Sequence, residues 1–438
     1  MMALMPGSIV DRVSDPAVRV AELVDGYARR VHPAVLEQHG GGSVCSPLGV
    51  WLLLAACATG AQGDDREALE LALGCSAEEA GELLALVMAD PPPALKAAIA
   101  VWVRAADASA DLAAWVRGLP ESVQSELMPS QAQADAWADE HTGGLIRRFP
   151  MAIDGLTRIV LASALATRVS WERPFEVVAA GEHLAPASPW RGHVQRLLWD
   201  PRPFRRAMLA TTQAAGVVAV HCAVAREDLT VVSVSAEPDV ERAAVLEAGL
   251  EVAACARRRC APPACSLFDL PVGTGHSWQI SEREISTHVA GERVQRIAGV
   301  SVPAWEIESD LNLATSPAFA TAPALEVLRQ LIGPRPDDQT EAVQRAIASF
   351  TRYGFEAAAV TAFAVRASLQ RPPGELGIER SAMLRFDHPY AAIAFAGRAP
   401  FTPHAESTFT GLPLFSAWID DPTEVDEDPA TGPRTAGG

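Results

Sequence analysis

The chain has 438 residues, and the 49% that are hydrophobic suffice for one large globular core or for several smaller ones. The formal net charge of −18, from 54 acidic and 36 basic side chains, argues against nucleic acid or an anionic membrane surface as the main partner. No apolar run approaches the ~18 residues that span a bilayer, and the first residues lack a basic-then-apolar signal pattern, so we expect a cytoplasmic protein, with leaderless export as the alternative.

The seven cysteines form no repeating framework, and their odd number predicts reduced thiols. Three of them, Cys255, Cys260 and Cys265, fall in the run CARRRCAPPAC. Neighbouring arginines could lower the pKa of these thiols, and the equal spacing could suit a metal. Zinc sites usually need tighter CxxC pairs and a fourth ligand, so ordinary loop cysteines are the favoured interpretation and no metal is predicted.

Helices dominate the first third of the chain. Apolar residues recur at three- and four-residue steps from Pro16, which predicts an amphipathic helix that Pro33 kinks or ends ahead of the run GGGS at 40–43. After a short strand around Val44, Ser46 can cap an apolar, buried helix that begins at Pro47. Further helices are predicted at 65–74, 76–90 and 131–147, and a strand at 94–107.

Strands dominate the later part of the chain. The segment 157–171 is uncharged in its middle and partly alternating, which predicts a central strand of a large sheet. Residues 204–236 predict two antiparallel strands around a polar turn. Strands are also predicted at 277–287, 294–307, 341–353, 388–397 and 413–420, the last two joined by a long turn from Arg398 to Leu412, and helices at 239–253 and 324–333.

This order of elements predicts a single α+β domain and not an alternating α/β array. The domain is expected to span 16–422, after an N-terminal extension at 1–15. Six acidic residues lie between Asp420 and Asp428, and the residues after them carry almost no apolar side chains, so 423–438 is predicted to be a disordered acidic tail.

Four separated stretches, in the right order, resemble landmarks of the serpin family. They are VCSPLGVWLLLAACATGAQGDDREALELALG; ADAWADEHTGGLIRRF followed by LASALATRVSWERPF; GVSVPAWEIESDLNL; and RYGFEAAAVTA with FDHPYAAIAF and LFSAWIDDP behind it. The chain is therefore similar to a divergent, prokaryotic-type serpin. The resemblance implies three β-sheets, about nine helices, an exposed reactive loop at about 354–380, a metastable native state, no cofactor and no catalytic triad.

The segment at the start of the implied loop could become a strand. From Phe355 to Ser368 it has neither proline nor glycine, and with period two the face that begins with Phe355 carries no charge, whereas Glu356 and Arg366 fall on the other face. An alanine-rich helix is the alternative. The hinge residues that the resemblance implies are Gly354, Phe355, Glu356, Ala357, Ala358, Ala359, Val360 and Thr361.

The mechanism that the resemblance implies is suicide inhibition. A serine protease, or a cysteine protease, attacks a bait bond and forms an acyl-enzyme, and insertion of the cut loop into the main sheet then traps it. The resemblance, through the family's usual loop spacing counted from Gly354, implies a candidate scissile region at Arg366, Ala367, Ser368 and Leu369. Cleavage after Ser368 would suit an elastase- or subtilisin-like protease, and cleavage after Arg366 a trypsin-like one. We expect the chain to act as a monomer.

Two positions depart from the inhibitory pattern. Phe355 stands where the family generally has threonine or serine, and its size predicts overpacking on insertion. Arg352 stands where glutamate is usual. The polar latch that the family uses where its central strands part would correspond to Ser46, Ser163 and Gln344, with Gly49 in place of a second serine. The family's tryptophan that lines the sheet opening corresponds to Trp171.

The leading hypothesis is thus a protease inhibitor. A non-inhibitory serpin-fold binding or scaffold protein is the alternative, favoured by Phe355 and Arg352. An enzyme is the third hypothesis, but the sequence has no GxSxG, HExxH or phosphate-loop motif. His141 and His276 lie near acids or glycines, as catalytic histidines can, but neither has an identifiable nucleophile partner and both are interpreted as turn or surface residues.

Overall fold

The structure is a computed structural model, and it describes residues 15–201, 206–258, 260, 262–287, 294–355, 375–398 and 408–425. Helices lie mainly in the first half of this part and strands in the second. The α-helices are α1 (Pro16–Gln38), α2 (Pro47–Ala58), α3 (Gly63–Leu73), α4 (Ala77–Ala89), α5 (Ala110–Gly118), α6 (Gln131–Thr142), α7 (Ala180–His183), α8 (Arg242–Arg257) and α9 (Thr321–Leu331).

The described residues also form twenty strands. They are β1 (Ser43–Cys45), β2 (Leu95–Val103), β3 (Gln124–Leu127), β4 (Ile159–Thr167), β5 (Val169–Ser170), β6 (Glu176–Ala179), β7 (Arg196–Asp200), β8 (Ala207–Thr212), β9 (Gly216–Val224), β10 (Leu229–Ser235), β11 (Ala264–Cys265), β12 (Gly273–Thr274), β13 (Trp278–Thr287), β14 (Val294–Val302), β15 (Trp305–Asn312), β16 (Val343–Phe350), β17 (Gly354–Phe355), β18 (Glu375–Arg385), β19 (Tyr390–Ala396) and β20 (Pro413–Ile419).

These strands form three sheets. One has the order β1-β20-β19-β10-β9-β8-β11 and a second the order β12-β13-β18-β14-β7-β6. The third consists of two hydrogen-bonded halves, β3-β2-β4 and β15-β16-β17-β5. Because only Arg168 separates β4 from β5, the two halves share one chain segment and belong to one central sheet. The α+β class predicted from the sequence is confirmed.

Helix α2 shows how the core is organised. Ser46 caps it by accepting a hydrogen bond from the backbone N–H of Gly49, and Pro47 occupies its first turn, as the sequence predicted. The helix packs between β20 and β4, that is, between the first sheet and the central sheet. Because both sides are protein, nearly all its side chains are buried, and Leu48, Trp51 and Leu52 are fully inaccessible.

Helix α1 continues past Pro33 to Gln38, because burial of the surrounding side chains outweighs the hydrogen bond that a proline forfeits. Of the two predicted effects of this proline, a kink or an end, the end is excluded. Two other predictions about element boundaries are wrong. Helix α6 ends at Thr142 and not near 147, because Gly143 adopts a left-handed φ of 64° that closes the helix. Residues 207–235 form three strands and not two.

The turn that divides the first of the two predicted strands into β8 and β9 has a local cause. Gly216 has a φ of 66°, a conformation that favours glycine, and it ends the turn between β8 and β9. The carboxylate of Glu251 on α8 accepts hydrogen bonds from the backbone N–H groups of Gln213 (2.8 Å) and Ala214 (2.9 Å). No helix in the described ranges is both long and apolar enough to span a membrane.

Candidate functional site: a gap in the central sheet

The first two residues of the predicted hinge already belong to the central sheet. They form β17, which lies between β5 and β16. Gly354 pairs with Ser170 of β5. Phe355 pairs with Val169 of β5 on one side and with Phe350 of β16 on the other. The chain therefore enters the central sheet at this point. Beyond β17 the two strands that flank it are unpaired and leave a gap, described below, and we call this point the upper end of the gap.

Residues 356–374 of the predicted loop lie outside the described residues, and its last six, 375–380, belong to β18. The residues outside include the hinge residues Glu356, Ala357, Ala358, Ala359, Val360 and Thr361 and the candidate scissile residues Arg366, Ala367, Ser368 and Leu369.

The side chain of Phe355 fits at the upper end. It is 3% exposed, and its ring centroid lies 6.1 Å from that of Trp305 and 6.5 Å from that of Phe415. The ring of Trp305 also stacks on Phe350, with 6.0 Å between centroids. Offset and edge-on aromatic contacts at these distances are favourable. The aromatic cluster thus accommodates the large residue that the sequence predicted to overpack the sheet.

Trp171 and Arg352 hold the turn before β17. The indole Nε1 of Trp171 donates a hydrogen bond to the Thr351 carbonyl oxygen at 2.9 Å, and its backbone N–H donates to the Tyr353 carbonyl oxygen at 2.9 Å. The guanidinium Nε of Arg352 donates to the carbonyl oxygen of Phe175 at 3.2 Å. Both residues therefore act at the upper end of the gap. Trp171 lies there because it follows Ser163, a predicted latch residue, by eight positions along the chain.

Below β17 the two central strands separate. Among the described strands, β4 pairs with β2 and not with β16, and β16 pairs with β15 and, at Phe350 alone, with β17. A narrow cavity of about 70 Å³ lies between residues 162–165 of β4 and 343–346 of β16. Residues of α2 and α6 also line it. We call this unpaired space the gap.

The three predicted polar latch residues, Ser46, Ser163 and Gln344, meet in the gap. The side chain of Gln344 accepts a hydrogen bond from the Ser46 backbone N–H (2.9 Å) and donates one to the Ser46 carbonyl oxygen (3.0 Å). The Ser46 hydroxyl donates to the Leu414 carbonyl oxygen at 2.8 Å. Ser163 is held less firmly, because its hydroxyl reaches the Gly49 carbonyl oxygen only at 3.5 Å. Trp171, which was predicted to line the sheet opening, lies at the upper end of the gap.

A cluster of ion pairs closes the lower end of the gap. Arg158, just before β4, contacts Asp107 at 2.7 Å and Asp338, which precedes β16, at 2.9 Å. Arg335 also contacts Asp107, at 2.6 Å. Asp107 is only 4% exposed, so its charge is balanced by these two guanidinium groups. No pattern in the sequence indicated this cluster.

Cys45 and Cys255 do not have the properties of reactive thiols. Burial raises the pKa of Cys45, which precedes the latch serine, to about 12. In the CARRRCAPPAC run, burial and then the neighbouring Cys260 raise the pKa of Cys255 to about 11, and the opposing effect of Arg258 is smaller. Arg258 does lower this pKa, as the sequence suggested, but burial outweighs it. No cluster of three or more metal-ligating side chains occurs in the described ranges.

The two histidines noted in the sequence have structural partners. His141 lies on α6, and its ring stacks on Trp137 with 4.7 Å between centroids. His276 contacts a residue that the sequence analysis missed, His388, with 2.6 Å between their Nε2 atoms. Burial and then His388 lower the pKa of His276. Because 112 residues separate the two histidines, no local sequence signal could have paired them.

His388 is also part of a Ser–His–Asp chain. Its Nε2 lies 2.7 Å from the Ser235 hydroxyl, and its Nδ1 lies 3.1 Å from Asp387 Oδ1. This order of groups resembles a hydrolase triad. Ser235 is only 1% exposed, however, so a substrate has no access to its hydroxyl in this conformation.

Comparison with known proteins points to one family. A family model described as Serpin (serine protease inhibitor) matches residues 26–183, which include α2, α6 and β4. Over this part, which is less than half of the chain, the sequence is similar to that of serpins. No curated protein sequence matches it.

Solved serpin structures match over nearly the whole chain. Serpin48 of the insect Tenebrio molitor is 16% identical, with a TM-score of 0.56 over 94% of this chain and 99% of that one. The thermophilic serpin tengpin in its native state is 15% identical, with a TM-score of 0.59 over 96% of each chain. Human thyroxine-binding globulin is 13% identical, with a TM-score of 0.61 over 93% of this chain and 100% of that one. At these identities the matches establish the serpin fold that the sequence predicted.

Proposed function

We propose that this serpin inhibits a serine protease by insertion of its cut reactive loop into the gap. The observation that carries the proposal is the position of β17, which begins a strand between β5 and β16 directly above an unpaired space. The loop that follows would complete the sheet by continuing in the same direction.

The register of β17 predicts the partners of each inserted residue. Because Phe355 pairs with Val169 and Phe350, each step down the loop moves one residue back along β4 and β16. Glu356 would then lie opposite Arg168, which is exposed, so their charges would attract. Thr361 would lie opposite Ser163 and Gln344, where its hydroxyl could join the latch.

The same register separates the two faces of the inserted strand. Phe350, Phe355 and Val169 are all buried, so loop residues of odd number would face the core. Ala357 would lie opposite Thr167 and Ala348, which are 3% and 1% exposed, so there is room only for a small side chain. Ala358 would face away from the core.

The test is incubation of the purified protein with subtilisin, chymotrypsin, elastase and trypsin, followed by denaturing gels and mass spectrometry. We expect a covalent complex with at least one protease, cut between Arg366 and Leu369. The matched variants are Ala357→Asp and Ala358→Asp. The inward charge at 357 should block insertion and yield cleavage without complex, whereas the outward charge at 358 should leave complex formation largely intact.

A second candidate function is that of a non-inhibitory binding protein. Thyroxine-binding globulin is similar in fold and was solved with thyroxine bound. This chain has a cavity of about 570 Å³ beside α8, lined by Val245, His276, His388 and Trp418 among others. A volume of this size suits a small organic ligand. Cleavage of the loop with no complex and no gain in thermal stability would favour this function over inhibition.

A further inference from the structure

The C-terminal end of α8 brings two of the seven cysteines together. The helix ends at Arg257, and the backbone N–H of Cys260 donates a hydrogen bond to the carbonyl oxygen of Cys255 at 3.0 Å. A bond from a sixth residue back to the first ends many helices, and it frequently brings the side chains near these two positions into contact. Cys255 and Cys260 occupy the two positions, so they are neighbours in space.

The two thiols also interact with each other. A hydrogen bond joins them, and both cysteines are free. A disulfide requires the two Cβ atoms to lie ~3.5–4.5 Å apart, with a torsion near a right angle about the S–S bond. Two thiols that already touch can approach this geometry by rotation about their Cα–Cβ bonds. The end of α8 therefore places a pair of cysteines where a disulfide could close.

The members of the pair differ in accessibility. Cys260 is exposed, whereas Cys255 is half-buried. Burial raises the pKa of Cys255 to about 11, so little of this thiol is ionised at neutral pH and it is a slow first nucleophile. Cys260 is therefore the thiol that meets a reagent from solution first. Cys255 is the neighbour that can attack once Cys260 has reacted.

The helix end that carries Cys255 is held in place. The side chain of Arg257 is 5% exposed, and its Nη1 donates a hydrogen bond to the Gly411 carbonyl oxygen at 2.9 Å. Gly411 has a left-handed φ of 79°, and a Cβ there would lie 2.4 Å from Arg257 Cγ, so the turn before β20 approaches α8 this closely only with glycine. Cys255 is thus presented to Cys260 from a fixed position.

Cys265, the third cysteine of the run, is a less suitable partner for Cys260. It is exposed and lies in β11, opposite Leu209 of β8. Pro262 and Pro263 stand between the two cysteines, and a residue that precedes a proline favours an extended conformation. The connection from Cys260 to Cys265 is therefore extended at Pro262, where a disulfide between them would need a tight turn.

We propose that Cys255 and Cys260 form a reversible disulfide by exchange with small disulfides of the glutathione class. The Cys260 thiolate first attacks one sulfur of the small disulfide, so a mixed disulfide forms and one small thiol leaves. Cys255 then loses its proton to solvent and attacks the Cys260 sulfur, and the second small thiol leaves. Two protein thiols are oxidised to one disulfide, while one small disulfide is reduced to two thiols.

The pair would protect the exposed thiol from other fates. An oxidised Cys260 without a neighbour would remain as a mixed disulfide or link two chains. With Cys255 in contact, the second step is intramolecular and has the advantage of a high effective concentration. Oxidation would then tie the end of α8 to the segment that leads to β11, and small thiols could reverse it from the exposed side. This inference is independent of the proposed inhibition.

The test compares four proteins. They are the natural chain and three variants that lack the other exposed thiol: Cys265→Ser, Cys255→Ser/Cys265→Ser and Cys260→Ser/Cys265→Ser. Each is incubated with oxidised glutathione and quenched with acid at intervals, and mass spectrometry of the intact chain and its peptides locates every adduct and disulfide. An unchanged unfolding temperature verifies that each variant is folded, and Cys255→Ala replaces Cys255→Ser if that variant does not fold.

We expect the natural chain and Cys265→Ser to form a disulfide between Cys255 and Cys260 after a short-lived adduct at Cys260. Without Cys255, the adduct at Cys260 should last at least about ten-fold longer, and non-reducing gels should show more linked dimer. The variant without Cys260 should leave Cys255 unmodified over the same period, because that thiol is rarely ionised. An excess of reduced glutathione should restore both thiols of the natural chain.

Three outcomes would overturn the proposal. The first is an adduct at Cys260 that lasts equally long with and without Cys255. The second is a disulfide of the natural chain that maps between Cys260 and Cys265. The third is that Cys260 stays reduced in all four proteins. Each outcome is read from the masses of the cysteine peptides alone, so none depends on whether the protein inhibits a protease.

Discussion

At its upper end the gap is closed by the aromatic ring of Phe355, whereas farther down, above the ion pairs, the flanking strands β4 and β16 are linked through hydrogen bonds to Ser46 and Gly49 at the start of α2. The upper contact is apolar and fully packed, and the lower contact is polar and borders a small cavity. Apolar packing resists separation through its buried area, whereas a hydrogen-bonded latch can exchange partners with an incoming strand at little cost. The difference indicates that the upper end positions the loop and the lower part opens for it.

The largest effect is expected from breaking the upper contact. Truncation of a buried phenylalanine typically costs ~3–5 kcal/mol, so Phe355→Ala should lower the free energy of unfolding of the uncut protein by ~3 kcal/mol. Denaturant unfolding measures the change, and Phe355→Leu serves as a control that keeps most of the volume. A loss below ~1 kcal/mol would mean that the ring does not join the two strands in solution.

An intermediate effect is expected from breaking the lower contact. Gln344→Met keeps the approximate volume but leaves the backbone N–H and carbonyl of Ser46 without their partner. An unsatisfied buried group costs ~1–3 kcal/mol, so we expect a loss of ~2 kcal/mol in the same unfolding assay. If Phe355→Ala and Gln344→Met were equally costly, the contrast between an apolar upper end and an exchangeable lower part would not hold.

The smallest effect is expected from strengthening the lower contact. A Cβ on Gly49 would meet Gln344 Nε2 and Ser46 Oγ at 3.4 Å, which is ordinary contact distance. Gly49→Ser should therefore fit, and should raise the free energy of unfolding by ~0.5 kcal/mol through helix propensity alone. It should also slow loop insertion after cleavage, measured by the rate at which the cut protein gains heat resistance. Destabilisation instead would show that the latch has no room for a second hydroxyl.

Much of the gap could be predicted from the sequence, since its residues lie in recognisable stretches. Ser46 and Gln344 were placed together although 298 residues separate them, because each sits in a motif that resembles the family's. Bottom-up patterning alone would not have joined them. It did predict an uncharged strand face that begins at Phe355, and Phe355 itself is buried in the structure.

The pairing of β13 with β18 could be predicted only in part. The alternation in 277–287 correctly predicted a strand, but its partner, β18, lies about a hundred residues away and alternation does not specify a partner. The ease with which Phe355 fits could not be predicted either. Its pocket is made by Trp305 and Phe415, from distant strands, and the size of a pocket is set by the packing of all its walls.

If the cut loop inserts as proposed, the ion cluster at the lower end would limit how far it extends. The register of β17 would bring Arg366 opposite Arg158, next to two guanidinium groups and two carboxylates whose charges already cancel. A third guanidinium would add a positive charge that no carboxylate of the cluster is left to balance, so we expect the strand to stop at Val365, opposite Ile159. The inserted strand would then extend ten residues, or ~33 Å, beyond Phe355. This length would be set by the electrostatics of the ion cluster and not by the length of the loop.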